Sequence, residues 1–210
     1  MDHTSKGYKS VRGQVESFFE EEKSKFISHG KHVKSEQEAL DFIDLIREEY
    51  KDATHNCYAY IINEQPVIKR YSDDGEPQGS AGLPMLSVLE KEQVTNLVVV
   101  VTRYFGGKLL GKAGLIRAYS RGVSDSLSGK VLWKRPYLVV ELTHSYQVLG
   151  IIENYLNTKG YKLIDKAYTD EVKIKIYVRE DGFERLKKDL INLTSANIKI
   201  EKKKSLMLFE

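Results

Sequence analysis

Residues 96–115 read NLVVVVTRYFGGKLLGKAGL, an apolar run from Asn96 to Thr102, a glycine-rich segment and the start of a helical pattern. Strand, glycine loop and helix is the layout of a phosphate-binding loop, and Gly106 to Ala113 falls one residue short of G-x-x-x-x-G-K-[ST]. Ala113 has no hydroxyl for a magnesium ion, Arg103 to Gly106 separate the strand from the second glycine, and no later strand ends in a metal-holding carboxylate. The stretch therefore does not encode a nucleotide hydrolase. Two readings remain open. Gly106, Gly107, Gly111 and Gly114, with Lys108 and Lys112 near the positive end of a helix, suit an RNA phosphate. The same glycines equally suit a tight turn and close packing of helix on sheet.

Outward from this stretch, Leu115, Ala118, Tyr119, Gly122, Val123 and Ser126 recur at helical spacing, which leaves Arg117 and Arg121 on the opposite face. Upstream, DDGEPQGSAG is a loop by composition and a helix is expected from about Leu83 to Glu92. HNCYAYIIN and PVIKRYS read as two strands joined by a turn at Asn63 to Gln65, and SKFISHGKHV as another strand. Between them Ser35 and Glu38 form a capping box ahead of Ala39, Phe42, Ile43, Ile46 and Tyr50 on one face. The pattern is that of one mixed α+β domain.

The helix runs out at Gly129 to Pro136, GKVLWKRP, and a domain boundary is expected there, separating residues 1–132 from 136–210. Beyond it Leu138, Val140 and Leu142 alternate, Val148, Ile151, Ile152, Tyr155 and Leu156 recur helically, a strand is expected at Tyr161 to Tyr168, and Val172, Ile174, Ile176 and Val178 alternate again. A second capping box, Asp181 with Glu184, is expected to open a helix bearing Phe183, Leu186 and Leu190, with a last strand from Ile198 to Ile200. The order βαββαβ suggests a ferredoxin-like sandwich.

With 210 residues, 41% of them apolar, and a net charge of +3, the chain can bury a real core and tolerates an anionic partner without demanding one. Cys57 is the single cysteine, so no disulfide or cysteine cluster forms within one chain, which points to a reducing compartment. MDHTSKGYKS lacks the apolar segment of a signal peptide and no run is long enough to span a bilayer, so a cytoplasmic location and no membrane partner are expected.

Three constellations could carry chemistry. In RYSDDGEPQGSAGLPML, residues 70–86, the carboxylates Asp73, Asp74 and Glu76 suit general acid and base work, or equally turn formation with Gly75 supplying positive φ. His55 and Cys57 share one face of a strand, the minimum for thiol catalysis, although a free cysteine on an interior strand is more simply a small apolar group. Lys173, Lys175, Tyr177 and Arg179 alternate with buried residues, giving a basic sheet face with an aromatic among the charges that suits RNA or plain solvent. His3, His29, His32 and His144 have no metal-ligand spacing, and neither a metal nor a cofactor is expected.

SDDGEPQGSAGLPML followed by VVVVTRYFGGKLLGKAGLIRAYSRGV, with ATHNCYAYI upstream, resembles the signature of the YigZ/IMPACT family. The family positions matched are His55, Cys57, Ala59, Ser72, Asp73, Asp74, Gly75, Glu76, Pro77, Gly79, Ala81, Gly82 and Pro84. A second set comprises Arg103, Tyr104, Phe105, Gly106, Gly107, Leu110, Gly111, Gly114, Leu115, Ala118 and Tyr119. Leu83 stands where a basic residue is expected and Ala113 where glycine is expected.

The resemblance implies an N-terminal domain similar to the two-layer fold shared by a ribosomal protein and the fourth domain of elongation factor G, and a ferredoxin-like C-terminal domain. It implies a non-enzymatic accessory or regulatory factor of translation that binds RNA, the ribosome or a ribosome-associated protein. The expected surface comprises Arg70, Asp73, Asp74, Glu76, Arg103, Tyr104, Lys108, Lys112, Arg117 and Arg121, with Lys173, Lys175, Tyr177 and Arg179 from the second domain. Two alternatives are a small metal-assisted or carboxylate-dependent hydrolase using the DDGEP loop, with Asp73, Asp74, Glu76 and His55, and a module that docks only on protein.

Overall fold

An apolar run with no polar face has to be covered on both sides, and this requirement shapes the first unit. The computed structural model describes residues 7–210, in which Tyr8–Trp133 and Lys134–Glu210 form separate compact units. The first contains β1 (Tyr8–Val11), β2 (Gln14–Glu21), β3 (Ser24–His32), α1 (Glu36–Glu49), β4 (His55–Ile62), β5 (Ile68–Ser72), α2 (Gly82–Lys91), β6 (Leu97–Tyr104) and α3 (Gly111–Leu127). Its five-stranded sheet has the order β2-β3-β6-β4-β5 with antiparallel neighbours, and the central strand β6 is buried along its length up to Arg103. Val98 and Val100 face Phe42, Ile43 and Ile46 of α1, whereas Val99 and Val101 join Met85, Leu89, Leu115 and Tyr119 from α2 and α3. Sheet and α2/α3 make the two layers expected, and α1 adds a third on the opposite face.

The helices form where the sequence signals them. Ser35 caps α1 by accepting from the Glu38 amide at 3.2 Å, while the Glu38 carboxylate reaches back to the Lys34 amide at 2.8 Å, one residue beyond the usual capping-box partner. On α3, Leu115, Ala118, Tyr119, Gly122, Val123 and Ser126 are all buried. Gly122 is needed there because a Cβ would sit 2.6 Å from Ser28 Oγ on the sheet below.

In the second unit β7 (Val131–His144), α4 (Leu149–Thr158), β8 (Lys162–Tyr168), β9 (Val172–Arg179), α5 (Phe183–Leu193) and β10 (Ile198–Phe209) follow in βαββαβ order. Strand order β10-β7-β9-β8 with antiparallel pairing is the ferredoxin-like arrangement, and Leu138, Val140, Leu142, Ile174 and Ile176 meet Ile152, Leu156, Leu186 and Leu190 beneath it. From Val131 the GKVLWKRP segment is part of β7. β8 is an edge strand, with a register shift between Leu163 and Asp165.

Two local expectations are corrected. Asp181 does not cap α5: a short turn over Glu180–Gly182 intervenes, Gly182 takes the cap position, and the Asp181 carboxylate binds Arg179 instead. An Arg two residues away outcompetes the helix amides for that carboxylate. Ile151 lies on the exposed side of α4, because only Ile152 and Leu156 of that helix are fully covered. His3 lies outside the described residues.

Burial along α2 gives a direct check. Leu89 is fully buried and Leu83 is 45% exposed, so Leu89→Ala should cost roughly 2–5 kcal/mol and Leu83→Ala about 0.5 kcal/mol or less. Urea denaturation of both variants measures the contrast.

Candidate functional site

Antiparallel pairing of β4 with β6 sets His55 opposite Arg103 and Cys57 opposite Val101, so the two motif blocks meet across one ladder. After β5 the chain reverses through Asp73–Glu76, where the Glu76 amide donates to the Asp73 carbonyl at 2.9 Å and both central residues, Asp74 and Gly75, have positive φ. These are the marks of a type I′ turn, and they explain the glycine in DDGEP.

The three carboxylates of this turn point to three different tasks. Asp73 accepts from the Gly79, Ala81 and Gly82 amides at 2.8, 3.0 and 2.9 Å, capping α2 from outside the helix. Asp74 accepts from Arg47 at 3.0 Å and from the Asn56 amide at 2.6 Å, while its carbonyl lies 2.8 Å from His55 Nδ1. Glu76 turns inward: its Oε1 accepts from Arg103 Nη1 and from the Tyr119 hydroxyl, both at 2.7 Å, with His55 Nε2 at 3.9 Å.

Arg103 also donates to Ser24 Oγ at 3.3 Å and lies between the rings of Phe26 and Phe105, 5.5 and 5.4 Å from their centroids. The pair is interior, with side-chain exposures of 6% for Arg103 and 3% for Glu76. Cys57 lies beside it and donates its thiol to the Asp73 carbonyl at 2.9 Å. Burial pushes this thiol strongly up; the neighbouring Tyr119 hydroxyl opposes the shift and the nearby carboxylates of Glu76, Asp74 and Asp73 reinforce it. The Tyr119 hydroxyl is raised as well, first by burial and then by its acidic neighbours. A thiol held protonated is a poor nucleophile, so the geometry favours the packed-cysteine reading.

The start of the glycine-rich segment is engaged within the fold. The Phe105 amide donates to Thr54 Oγ1 at 2.9 Å and the Gly106 amide to Ser24 Oγ at 3.2 Å, so these N–H groups are already occupied. A Cβ on Gly106 would overlap the Lys23 carbonyl, and one on Gly82 would sit 2.7 Å from the Ser72 carbonyl oxygen. At these two positions glycine serves close backbone approach.

The expected binding residues therefore separate. Arg103 and Glu76, assigned to the surface from sequence, are corrected to the interior, because each satisfies the other's buried charge. Asp73 and Asp74 are half-buried and engaged, and Tyr104 donates to Asp52 at 2.8 Å. Arg70 is exposed on β5, 3.9 Å from Glu36. Lys108 pairs with Glu22, and Arg121 pairs with Asp125 while covering the Phe19 ring at 4.3 Å. Lys112 and Arg117 are exposed with no ion pair among the described residues.

On the second unit Lys173 is exposed, but Lys175 lies 3.7 Å from Glu141 and 3.8 Å from Asp165, and Arg179 pairs with Asp181 and Glu210. The sheet face around half-buried Tyr177 is thus a mixed network rather than a basic field. Sequence reasoning missed Arg47, Asn56 and Thr102. Asn56 donates to the Tyr50 carbonyl at 3.2 Å and accepts from Thr102 at 2.7 Å, and a lone amide inside an apolar strand was the available signal.

The profile of the Impact N-terminal domain matches residues 22–127, and a domain of unknown function (DUF1949) matches residues 142–197. IMPACT family member YvyE of Bacillus subtilis is 41% identical over 181 residues, 86% of this chain and 83% of its own. IMPACT family member YigZ of Escherichia coli is 35% identical over 157 residues, 73% of this chain and 77% of its own. A crystal structure described as a hypothetical protein superposes with a TM-score of 0.59 at 29% identity, covering 95% of this chain and 98% of that one.

Arg103→Ala should leave Glu76 buried without its cation and lower stability by roughly 3–5 kcal/mol, whereas Lys108→Ala should change it by less than about 1 kcal/mol; thermal and denaturant unfolding compare the two. Cys57 should resist iodoacetamide at pH 8 in the native protein and react within minutes in denaturant, read by mass spectrometry. Rapid native labelling would contradict its burial.

Proposed function

This chain belongs to the IMPACT family, and on that premise we propose that it is a non-enzymatic accessory or regulatory factor of translation, acting by docking on RNA, the ribosome or a ribosome-associated protein. The observation that carries this reading is the fate of Asp73, Asp74 and Glu76. Each is held by two or more donors within the fold, and none is left to share a reacting atom with another. Acid and base catalysis needs side chains converging on one proton, and a hydrolase at this loop would first have to undo the cap of α2 or the Arg103 pair. The link to translation rests on the family resemblance of the two sequence blocks.

Docking is best supported at the loop leading into α3. Phe105 and Leu109 are exposed there, Leu109 at 86%, beside Lys108, Lys112 and Arg117. Exposed apolar side chains among cations, on a rigid sheet and helix, suit contact with a polyanion or an acidic protein surface. Among the described residues no helix is long and apolar enough to cross a membrane, and the proposed site of action is the cytoplasm.

Cosedimentation of the purified protein with ribosomes and with ribosome-free RNA across a salt series tests the reading. Binding should weaken as salt rises, and the combined Lys108→Ala, Lys112→Ala and Arg117→Ala variant should flatten the slope of log K against log salt by about 1 for each phosphate that is no longer neutralised. Failure to bind ribosomes, RNA and ribosome-associated proteins alike would remove the proposal.

A further inference from the structure

The second unit carries a cleft outside the family motifs, which shares Tyr177 and Arg179 with the strand face described above. It lies where α4 turns into β8 and β9 leads into α5, and encloses about 400 Å³. Tyr137, Tyr155, Tyr161 and Tyr177 line it together with Lys162 and Arg185. The rings are braced: the Tyr137 hydroxyl donates to Glu210 at 2.5 Å, that of Tyr155 donates to Asp189 at 2.8 Å, and Tyr155 stacks on Tyr161 with centroids 6.1 Å apart. Burial, reinforced by the bond to Glu210, pushes the Tyr137 hydroxyl up to about 12, so this brace is in place throughout the neutral range.

Cations outnumber free acids at the cleft: Lys159, Lys162, Arg179 and Arg185 border it, Asp181 is taken up by Arg179, and Glu210 and Asp189 are engaged by the Tyr137 and Tyr155 hydroxyls. Lys159, Lys162 and Arg185 are exposed and make no ion pair among the described residues. Cross-strand pairing of Lys162 with Tyr177 puts a cation beside an aromatic side chain at the mouth. Aromatic rings and unpaired cations lining one cleft match a ligand that is aromatic at one end and anionic at the other. The volume lies within the range of small-molecule sites and suits a single mononucleotide.

We infer that this cleft binds one nucleotide unit, with the base against the tyrosine rings and the phosphate on Lys162 and Arg185. A free mononucleotide and an unstacked nucleotide of single-stranded RNA present the same chemistry; in the second case the cleft supplies the RNA contact, which rests on the function proposed above.

Calorimetric titration of the full chain with AMP, adenosine, ribose 5-phosphate, inorganic phosphate, O-phosphotyrosine and an eight-residue oligoadenylate tests this. AMP should bind saturably and roughly tenfold or more tighter than ribose 5-phosphate, since the base contributes stacking. The Lys162→Ala/Arg185→Ala variant should lose roughly tenfold or more of the AMP affinity with an unchanged melting temperature, both side chains being exposed. Tyr177→Ala should weaken binding while Tyr177→Phe retains it. Oligoadenylate binding much tighter than AMP identifies RNA as the source, and equal affinity a free nucleotide; both support the cleft. No saturable binding of AMP or oligoadenylate, equal affinity for inorganic phosphate or O-phosphotyrosine, or indifference to the double substitution overturns it. Ribosome cosedimentation without nucleotide binding would sink the cleft and leave the translation reading intact, and nucleotide binding without cosedimentation would do the reverse.

Discussion

The contact between Glu76 and Arg103 organises the first unit. A carboxylate and a guanidinium removed from water each carry a desolvation penalty of several kcal/mol, which their attraction offsets only when geometry and remaining hydrogen bonds are good. Here Glu76 also receives the Tyr119 hydroxyl and Arg103 also reaches Ser24, so the loop after β5, the end of β6, the middle of α3 and the start of β3 converge on one charge pair. Few alternative packings would satisfy both charges. The consequence is a loop held in one conformation by the interior beneath it.

This arrangement explains why a motif rich in carboxylates, with histidine and cysteine beside it, resembles an active site in sequence and behaves as a fastening in the fold. His55 is tied to the Asp74 carbonyl, Cys57 to the Asp73 carbonyl, and the carboxylates to amides and to Arg47 and Arg103. What the fastening presents outward is the exposed segment ahead of α3, and there the side chains are apolar and cationic. This composition is what the proposed docking role draws on.

The elements were legible because their signals are local. The spacing of Ala39, Phe42, Ile43 and Ile46 on α1 and of Leu115, Ala118, Tyr119 and Gly122 on α3 reports a buried face directly, and alternation in β9 does the same for a strand. Charge partners were not legible, because they come from chain segments far apart. Arg103 reads as a surface cation until Glu76, on another loop, is placed against it. Lys175 and Arg179 read as a basic stripe until Glu141 and Asp165 arrive from neighbouring strands and Glu210 from the residue after β10. The Asp181 misreading has the same origin on a shorter scale, since the turn at Glu180–Gly182 diverts the carboxylate from the helix to Arg179.

Helix α2 has no cap of its own: Ala81 precedes it, and the carboxylate that satisfies its first amides belongs to Asp73, eight and nine residues upstream. The first turn of the helix and the preceding loop are therefore not independent in their fluctuations. Opening the loop exposes the helix amides in the same event, and fraying the helix deprives the loop of its donors. The two segments share one set of hydrogen bonds, so local opening is expected to involve both together, and the same loop carries Glu76 of the interior charge pair. A short stretch of sequence thus reports on the integrity of much of the first unit whenever its backbone amides are followed.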